Sequence, residues 1–191
     1  MSNKNIIDLF NKTKISTKKY KSTGYIELEG INGKCRKFNK DLFEKYDVSA
    51  RKIVFEKLGN IIIKDNPNKY GEDLCVITKD IPYKYIEIQV YASWKEEKFP
   101  HKKPYIHARK TRFSNKTLFI CFSNDFTQVI LFSKYYVHDA PSRLKKYDRE
   151  LVHFIEWKNV YLIPTEKLSI KEIKKMSGIS TSDTEDSDSS S

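Results

Sequence analysis

Tyr85-Ile86-Glu87-Ile88-Gln89-Val90 carries the clearest structural signal in the chain, because apolar and polar residues alternate along it. Successive side chains of a strand point to opposite faces, so the isoleucines and the valine share one face, and Glu87 and Gln89 share the other. Such alternation predicts a half-buried strand. An acid in the middle of that strand is costly to bury unless a cation pairs with it.

A second acid, Asp73, precedes the apolar segment Leu74-Cys75-Val76-Ile77, which also predicts a strand. If the two strands pair, Asp73 lies beside Glu87, and the two carboxylates would suit a hard divalent cation such as Mg²⁺. That arrangement is typical of a metal-dependent phosphodiesterase. The alternative interpretation is that Asp73 is a turn acid and that Glu87 faces solvent.

Outward from these segments, the sequence predicts a mixed fold. Apolar residues at helical spacing indicate a helix within 40–58, and an alternating stretch with glycine turns indicates a small hairpin within 22–38. Ser169 with Glu172 forms a capping-box pattern that predicts a short C-terminal helix. Strands are predicted at 60–64, 73–78, 83–92, 118–123 and 127–133. Helices combined with a mainly antiparallel run of strands place the chain in the α/β (α+β) class.

The charge of the chain indicates a polyanionic partner. The 191 residues include 36 Lys and Arg against 25 Asp and Glu, for a formal net charge of +11. Four of the acids fall in residues 180–191, which contain no base, so residues 1–179 hold 21 acids against 36 bases. A surplus of this size favours nucleic acid as the partner, with DNA expected and RNA as the alternative.

Composition divides the chain into a basic N-terminal arm or short helix at 1–21, a folded domain at 22–179, and a disordered acidic Ser-rich tail at 180–191. The tail has too few apolar residues to form a core. Acidic residues follow its hydroxyl-bearing side chains, as at Ser182 and Ser187, so an acid-directed kinase is an expected partner of the tail.

The cysteines and the hydropathy indicate the compartment. Cys35, Cys75 and Cys121 are widely spaced and form no C-x-x-C pair, which is typical of a reducing compartment without disulfides. No apolar run approaches the roughly 20 residues that cross a bilayer. We therefore expect a soluble, intracellular protein that does not contact membranes.

Several short strings resemble the PD-(D/E)XK nuclease superfamily, in particular small nuclease-like proteins of phages and large DNA viruses. The order of a helix, Asp73 on one strand and Glu87-Ile88-Gln89 on the next is that of the superfamily's motif. The likeness covers roughly residues 40–137 and includes Trp94-Lys95, Phe99-Pro100, His107-Ala108-Arg109-Lys110, Arg112-Phe113 and Phe122-x-Asn124-Asp125. It implies a restriction-endonuclease-like fold, in which helices flank a mixed central sheet. It also implies a viral protein in the host cytoplasm or the virion.

The resemblance assigns roles to individual residues. Asp73 and Glu87 would be catalytic and would hold Mg²⁺, or Mn²⁺ in its place, and the carbonyl of Ile88 would add a ligand. Glu56 resembles the extra helical acid that some members use as a metal ligand, with Glu44 as its competitor.

The chain departs from the superfamily's pattern at Gln89, where most members have lysine, although some restriction-type members resemble this chain in using Gln. An amide can orient a water molecule, but it carries no charge and cannot act as a general base. The residues implied to contact the phosphates of the nucleic acid follow the motif along the chain: Lys95, His107, Arg109, Lys110 and Arg112.

Two functions therefore compete. The first is a Mg²⁺-dependent nuclease that hydrolyses phosphodiester bonds of DNA, with an E-x-Q variant of the motif in a nuclease-like domain at 22–179. Nucleases of this superfamily often dimerise to cut both strands, so a homodimer is a further expectation. The second is a nuclease-fold protein that binds nucleic acid without cutting it.

Overall fold

The structure is a computed structural model, and it describes residues 17–19, 26–28, 40–95, 98–137, 142–144 and 147–178. The fold is mixed α/β, as the sequence predicts. The chain forms two compact units, the first comprising residues 1–39 with 143–150 and the second comprising residues 40–142 with 151–191. In the first unit, β1 (Thr17–Lys19) pairs antiparallel with β2 (Ile26–Leu28).

The second unit is built on a six-stranded sheet in the order β11-β8-β7-β5-β4-β3. The pairing is antiparallel throughout, except that β5 and β7 run parallel to each other. The strands are β3 (Ile63–Asp65), β4 (Leu74–Val76), β5 (Tyr85–Tyr91), β7 (Thr117–Ser123), β8 (Gln128–Ser133) and β11 (Tyr161–Pro164).

The parallel pair requires the chain to leave the sheet after β5 and to return before β7. This crossover, residues 92–116, contains β6 (Tyr105–His107) and a 3₁₀ turn over Ala108–Arg112. Strand β6 pairs antiparallel with the second half of β10 (Tyr147–Phe154). Strand β9 (Ser142–Leu144) is the other neighbour of β10 in this three-stranded sheet.

The helical stretch predicted at 40–58 consists of α1 (Lys40–Leu42), a π-helical segment (Phe43–Val48) and α2 (Ser49–Leu58). Helix α3 (Ile170–Met176) follows the last strand, and its predicted N-cap is confirmed because the Ser169 hydroxyl accepts from the Glu172 N–H at 3.3 Å. The Glu172 carboxylate accepts from the Tyr161 hydroxyl. Among the described residues, no helix has the length and apolar composition that a membrane span requires.

The two faces of the central sheet have different neighbours, which confirms the alternation predicted for β5. Ile86 and Ile88 belong to a buried cluster with residues of both α2 and α3. The opposite face carries Glu87, Gln89 and Tyr91 and contacts the crossover instead. The described helices α2 and α3 thus pack on one face, whereas the resemblance implied helices flanking the sheet.

Some predicted boundaries differ from the structure. The strand predicted at 60–64 begins later, because the backbone turns from Gly59 to Ile62 before β3. In the hairpin predicted at 22–38, residues 26–28 do form a strand, but they pair with residues 17–19. The rest of 22–38, residues 1–16 and the acidic tail lie outside the described residues.

Candidate active site

Asp73 lies where β4 and β5 stop pairing. The register of these strands ends at Leu74 opposite Ile86, so Asp73 is the first residue beyond the ladder. Its Oδ2 atom accepts a hydrogen bond from the Ile88 N–H at 2.8 Å. The carboxylate therefore satisfies a backbone donor of β5 and is held in place beside the strand that carries Glu87.

Glu87 is buried on the face of the sheet that the crossover covers, with 6% of its surface exposed. Burial raises its pKa to about 7; the Lys110 charge lowers the pKa, while the Asp73 charge and a hydrogen bond with the Asp73 carboxyl raise it. The structure thus places the two predicted acids close enough to interact electrostatically, with Asp73 bonded to the backbone of the strand that carries Glu87.

Lys110 pairs with Glu87 from the 3₁₀ turn of the crossover. Its Nζ lies 2.7 Å from Glu87 Oε1 and donates to Gln89 Oε1 at 3.3 Å. Lys110 is 8% exposed, and a lysine is rarely buried so deeply unless it is paired. Gln89 also donates from Nε2 to the Tyr105 carbonyl at 3.5 Å. The ammonium group is therefore fixed between the acid and the amide of the motif.

On the helix side, Arg51 of α2 forms a second cationic contact to the site. Its guanidinium lies 2.5 Å from Asp65 Oδ1 and 3.4 Å from Asp73 Oδ1. Asp47, one turn earlier, has a raised pKa because of partial burial of its carboxyl and the nearby Asp73 charge, whereas Lys110 and Arg51 lower it. Four acids (Asp47, Asp65, Asp73 and Glu87) and two cations (Arg51 and Lys110) therefore interact here.

Glu72, next to Asp73, has a structural role. Its buried Oε1 accepts from the Ser114 N–H at 2.9 Å and from the Thr117 hydroxyl at 2.8 Å. These bonds fasten the end of the crossover to the start of β4. Because β7 begins at Thr117 and Lys110 precedes it in the crossover, Glu72 helps to fix the position from which Lys110 reaches the acids.

Glu56 is not brought to these acids, contrary to the expectation for the extra helical ligand. Its carboxylate pairs with Lys52 at 3.7 Å on an exposed part of α2. Asp47 and Arg51 are four residues apart on one edge of the helix. Glu56, nine residues after Asp47, does not lie on that edge. Glu44 is also exposed. The helical acid that interacts electrostatically with Asp73 is Asp47.

The expected phosphate contacts occupy different environments. Lys110 is buried against Glu87 and is not an exposed phosphate ligand. Lys95 and Arg109 are exposed, and His107 is half-buried in β6. Arg112 is exposed and donates to the Tyr70 carbonyl at 2.9 Å.

The sequence analysis missed Asp47 and Arg51, and it assigned Lys110 to a different environment. A signal for the first two exists, because Asp47 and Arg51 are four residues apart and so share a helix face. The buried Ala50 and Val54 next to them would place that face at the rim of the core. No local pattern indicates that Lys110 reaches Glu87, since that contact depends on the path of the crossover.

The donor atoms suit a magnesium ion. The described residues contain no group of three or more His, Cys, Asp and Glu side chains positioned to hold a metal. Mg²⁺ does not require one, because it commonly binds one or two carboxylates and keeps several waters. Asp73 and Glu87 supply the carboxylates. The Lys84 carbonyl, just before β5, accepts a hydrogen bond from the Val76 N–H of β4. Carbonyls of alternate residues in a strand point to the same side, so the Ile88 carbonyl also points toward the side of β4 and Asp73.

No protein-family model matches the chain, and no curated protein is significantly similar to it. A functional assignment therefore depends on the geometry of the site.

Proposed function

We propose that this protein is a Mg²⁺-dependent hydrolase of phosphodiester bonds in DNA. The observation that supports this proposal best is the carboxylate of Asp73 bonded to the Ile88 N–H beside the buried Glu87, with Lys110 bonded to Glu87 and Gln89. A parallel β5–β7 pair next to the antiparallel β3-β4-β5 strands, with α2 packed on one face, supports the restriction-endonuclease-like fold as part of the proposal.

Asp73, Glu87 and the Ile88 carbonyl would hold the metal, with Mn²⁺ as an alternative to Mg²⁺. When bound, the ion polarises a scissile phosphate and lowers the pKa of a coordinated water. The Ile88 N–H keeps the Asp73 carboxylate oriented, because it donates to Oδ2. Arg51 restrains the other oxygen of Asp73 from the helix side.

Lys110 would supply the positive charge that Gln89 lacks. Its ammonium is fixed by Glu87 and Gln89 before substrate arrives, so little reorganisation is needed to stabilise negative charge on a phosphate. Gln89 holds the ammonium through Oε1. Exposed cations of the crossover and of the end of β5, namely Lys95, Arg109 and Arg112, would bind neighbouring phosphates, with His107 beside them.

A cleavage assay with variants of the two acids tests the proposal. With Mg²⁺ or Mn²⁺, wild-type protein is expected to cut DNA, and Asp73→Asn and Glu87→Gln are each expected to reduce the rate by about 100-fold or more, as for the loss of one preorganised group in an active site. Glu56→Gln is the matched control, because it makes the same chemical change on an exposed surface. If both site variants cut as fast as this control, the assignment is wrong.

A second function is favoured by the same lysine. Lys110 already pairs with Glu87, so the lysine ammonium could take the place of a metal ion at this carboxylate. Without the metal, the protein would bind nucleic acid but would not cut it. In that case DNA would be retarded in gels, and the affinity would fall steeply with salt. No cleavage would appear with either metal. Cleavage that is lost in Lys110→Met would exclude this function.

A further inference from the structure

A cleft of about 480 Å³ lies at the end of the central sheet where β5 and β7 begin and β8 ends. Its walls come from the segment before β5, the turn before β7, the end of β8 with the 3₁₀ turn after it, the 3₁₀ turn before β11 with the start of β11, and the end of α3. We call it the tyrosine–lysine cleft, after the lining residues that matter most: Tyr135, Tyr136, Lys116, Lys158, Lys175 and Asn115. Its volume lies in the range of small-ligand sites.

Two aromatic rings at the cleft are unusually open to solvent. Tyr135 is 59% exposed and Tyr136 is 43% exposed. Their ring centroids lie 5.5 Å apart with an interplanar angle of 81°, so the rings form an edge-to-face pair and their planes are nearly perpendicular. Exposed aromatic faces bind the bases of single strands by stacking, which tolerates any base because every base has a π-face.

The charge of the cleft is positive. Lys116 and Lys158 line it, and no Asp or Glu is among the described residues of its lining. A neighbouring cleft shares Lys116 and adds Lys79 and Lys84. Lys175 contributes less, because it lies over the Tyr161 ring and is balanced by Glu172, which accepts the Tyr161 hydroxyl at 2.5 Å.

We propose that the tyrosine–lysine cleft binds single-stranded nucleic acid, with a base stacked on Tyr135 or Tyr136 and phosphates bound by Lys116 and Lys158. Paired bases of a duplex are already stacked on one another, so the exposed tyrosine faces favour an unpaired strand. The Asn115 amide at the same cleft offers a hydrogen-bonding group to a base edge. This inference rests on the proposed function in that both have nucleic acid as the partner.

The cleft and the candidate active site lie along the same strand. Tyr83, which lines the cleft, lies two residues before β5 and four residues before Glu87, which corresponds to about 13 Å of extended backbone. The end of α3 lines the cleft, and α3 packs on the face of the sheet opposite Glu87, so a strand held in the cleft would pass around the end of the sheet to reach the acidic pair. The cleft would select the unpaired form of the substrate, and the acids would act on a nucleotide farther along the strand.

Fluorescence anisotropy of a labelled short oligothymidine, with the full chain in EDTA, tests the stacking platform without any need for cleavage. The double variant Tyr135→Ala, Tyr136→Ala is expected to bind about 5- to 150-fold more weakly. The double variant with phenylalanine at both positions keeps the rings and is expected to retain the affinity. Equal affinity of the alanine variant and wild type would overturn the proposal.

A salt titration in the same assay tests the lysines. Lys116→Gln with Lys158→Gln should make the slope of log affinity against log salt less steep by about 1.4, or about 0.7 for each lost phosphate contact on a single strand. The matched control is Lys64→Gln with Lys167→Gln, two exposed lysines elsewhere. Equal slopes for the two double variants would contradict the binding of phosphates by Lys116 and Lys158.

Two further outcomes separate this inference from the proposed function. If the wild-type chain bound neither the oligothymidine nor a duplex, nucleic acid would be excluded as the partner, and both proposals would fail. If a duplex bound as tightly as the single strand and its affinity also depended on the two tyrosines, the proposed function would stand and the single-strand inference would be overturned.

Discussion

Replacing Glu87 by glutamine should remove a pH-dependent part of the free energy of unfolding of the metal-free protein. In the folded chain, burial raises the pKa of Glu87 from 4.5 to about 7, against the lowering effect of Lys110 and with a further increase from Asp73. In the unfolded chain the carboxyl ionises near its ordinary value. Between the two pKa values the folded state binds more protons, so stability falls as the pH increases.

The size of the effect follows from the two pKa values. The contribution of Glu87 is fully present below pH 4.5 and is lost as the pH rises through about 7. At about 1.4 kcal/mol for each pH unit between these values, ionising Glu87 in the folded protein costs about 3 kcal/mol. The side chain is 8% exposed, so solvent screening reduces this figure little.

Urea unfolding in EDTA across the range from about pH 5 to about pH 8 measures the difference. With an m-value of about 2 kcal/mol/M, the wild-type midpoint should fall by about 1.5 M more than that of Glu87→Gln over this range. Glu56→Gln is the control, because it makes the same chemical change at a carboxyl that is exposed to solvent in the folded protein. If wild type and Glu87→Gln changed in parallel with pH, Glu87 would not be the buried carboxyl with a raised pKa described above.

Three other predictions concern the surroundings of the site. Glu72→Ala removes two hydrogen bonds to a buried carboxylate and should destabilise the protein by about 3 kcal/mol, seen as a loss of roughly 6 to 12 °C in Tm; an unchanged Tm would contradict this role. Burial raises the pKa of the Cys121 thiol to about 12, so this thiol should resist alkylation in the folded chain and react on unfolding, which mass spectrometry of the labelled peptides would show. The buried Thr165 hydroxyl has no hydrogen-bond partner among the described residues, so Thr165→Val should leave the free energy of unfolding unchanged or raise it by about 1 kcal/mol, and a loss of more than that in urea unfolding would reveal a hidden partner.

The elements that the sequence predicted well are those whose signals are local. The alternation of β5 depends on neighbours two residues apart, and the cap at Ser169 depends on a residue three positions later. Both are present in the structure. Asp73 and Glu87 were also placed on adjacent strands, because each lies beside or within an apolar segment of its own.

The elements that the sequence did not predict depend on long-range pairing. Nothing in residues 92–116 shows that β5 and β7 run parallel, so the return path of the crossover and the position of Lys110 could not be derived. The interaction of Asp47 with Asp73 likewise depends on how α2 packs on the sheet. Glu56 was favoured, with Glu44 as its competitor, because helix position alone does not show which edge faces the acids.

The parallel pairing of β5 and β7 also bears on the order in which the chain matures. The hairpin of β4 and β5 closes over a short loop, whereas the crossover closes over a much longer one, and long closures cost more entropy and form more slowly. During synthesis the carboxylates can thus be in place before the ammonium of Lys110 returns to them. A newly made chain would therefore lack the Lys110 ammonium at its two acids until the crossover has closed, and the proposed hydrolysis would depend on that closure.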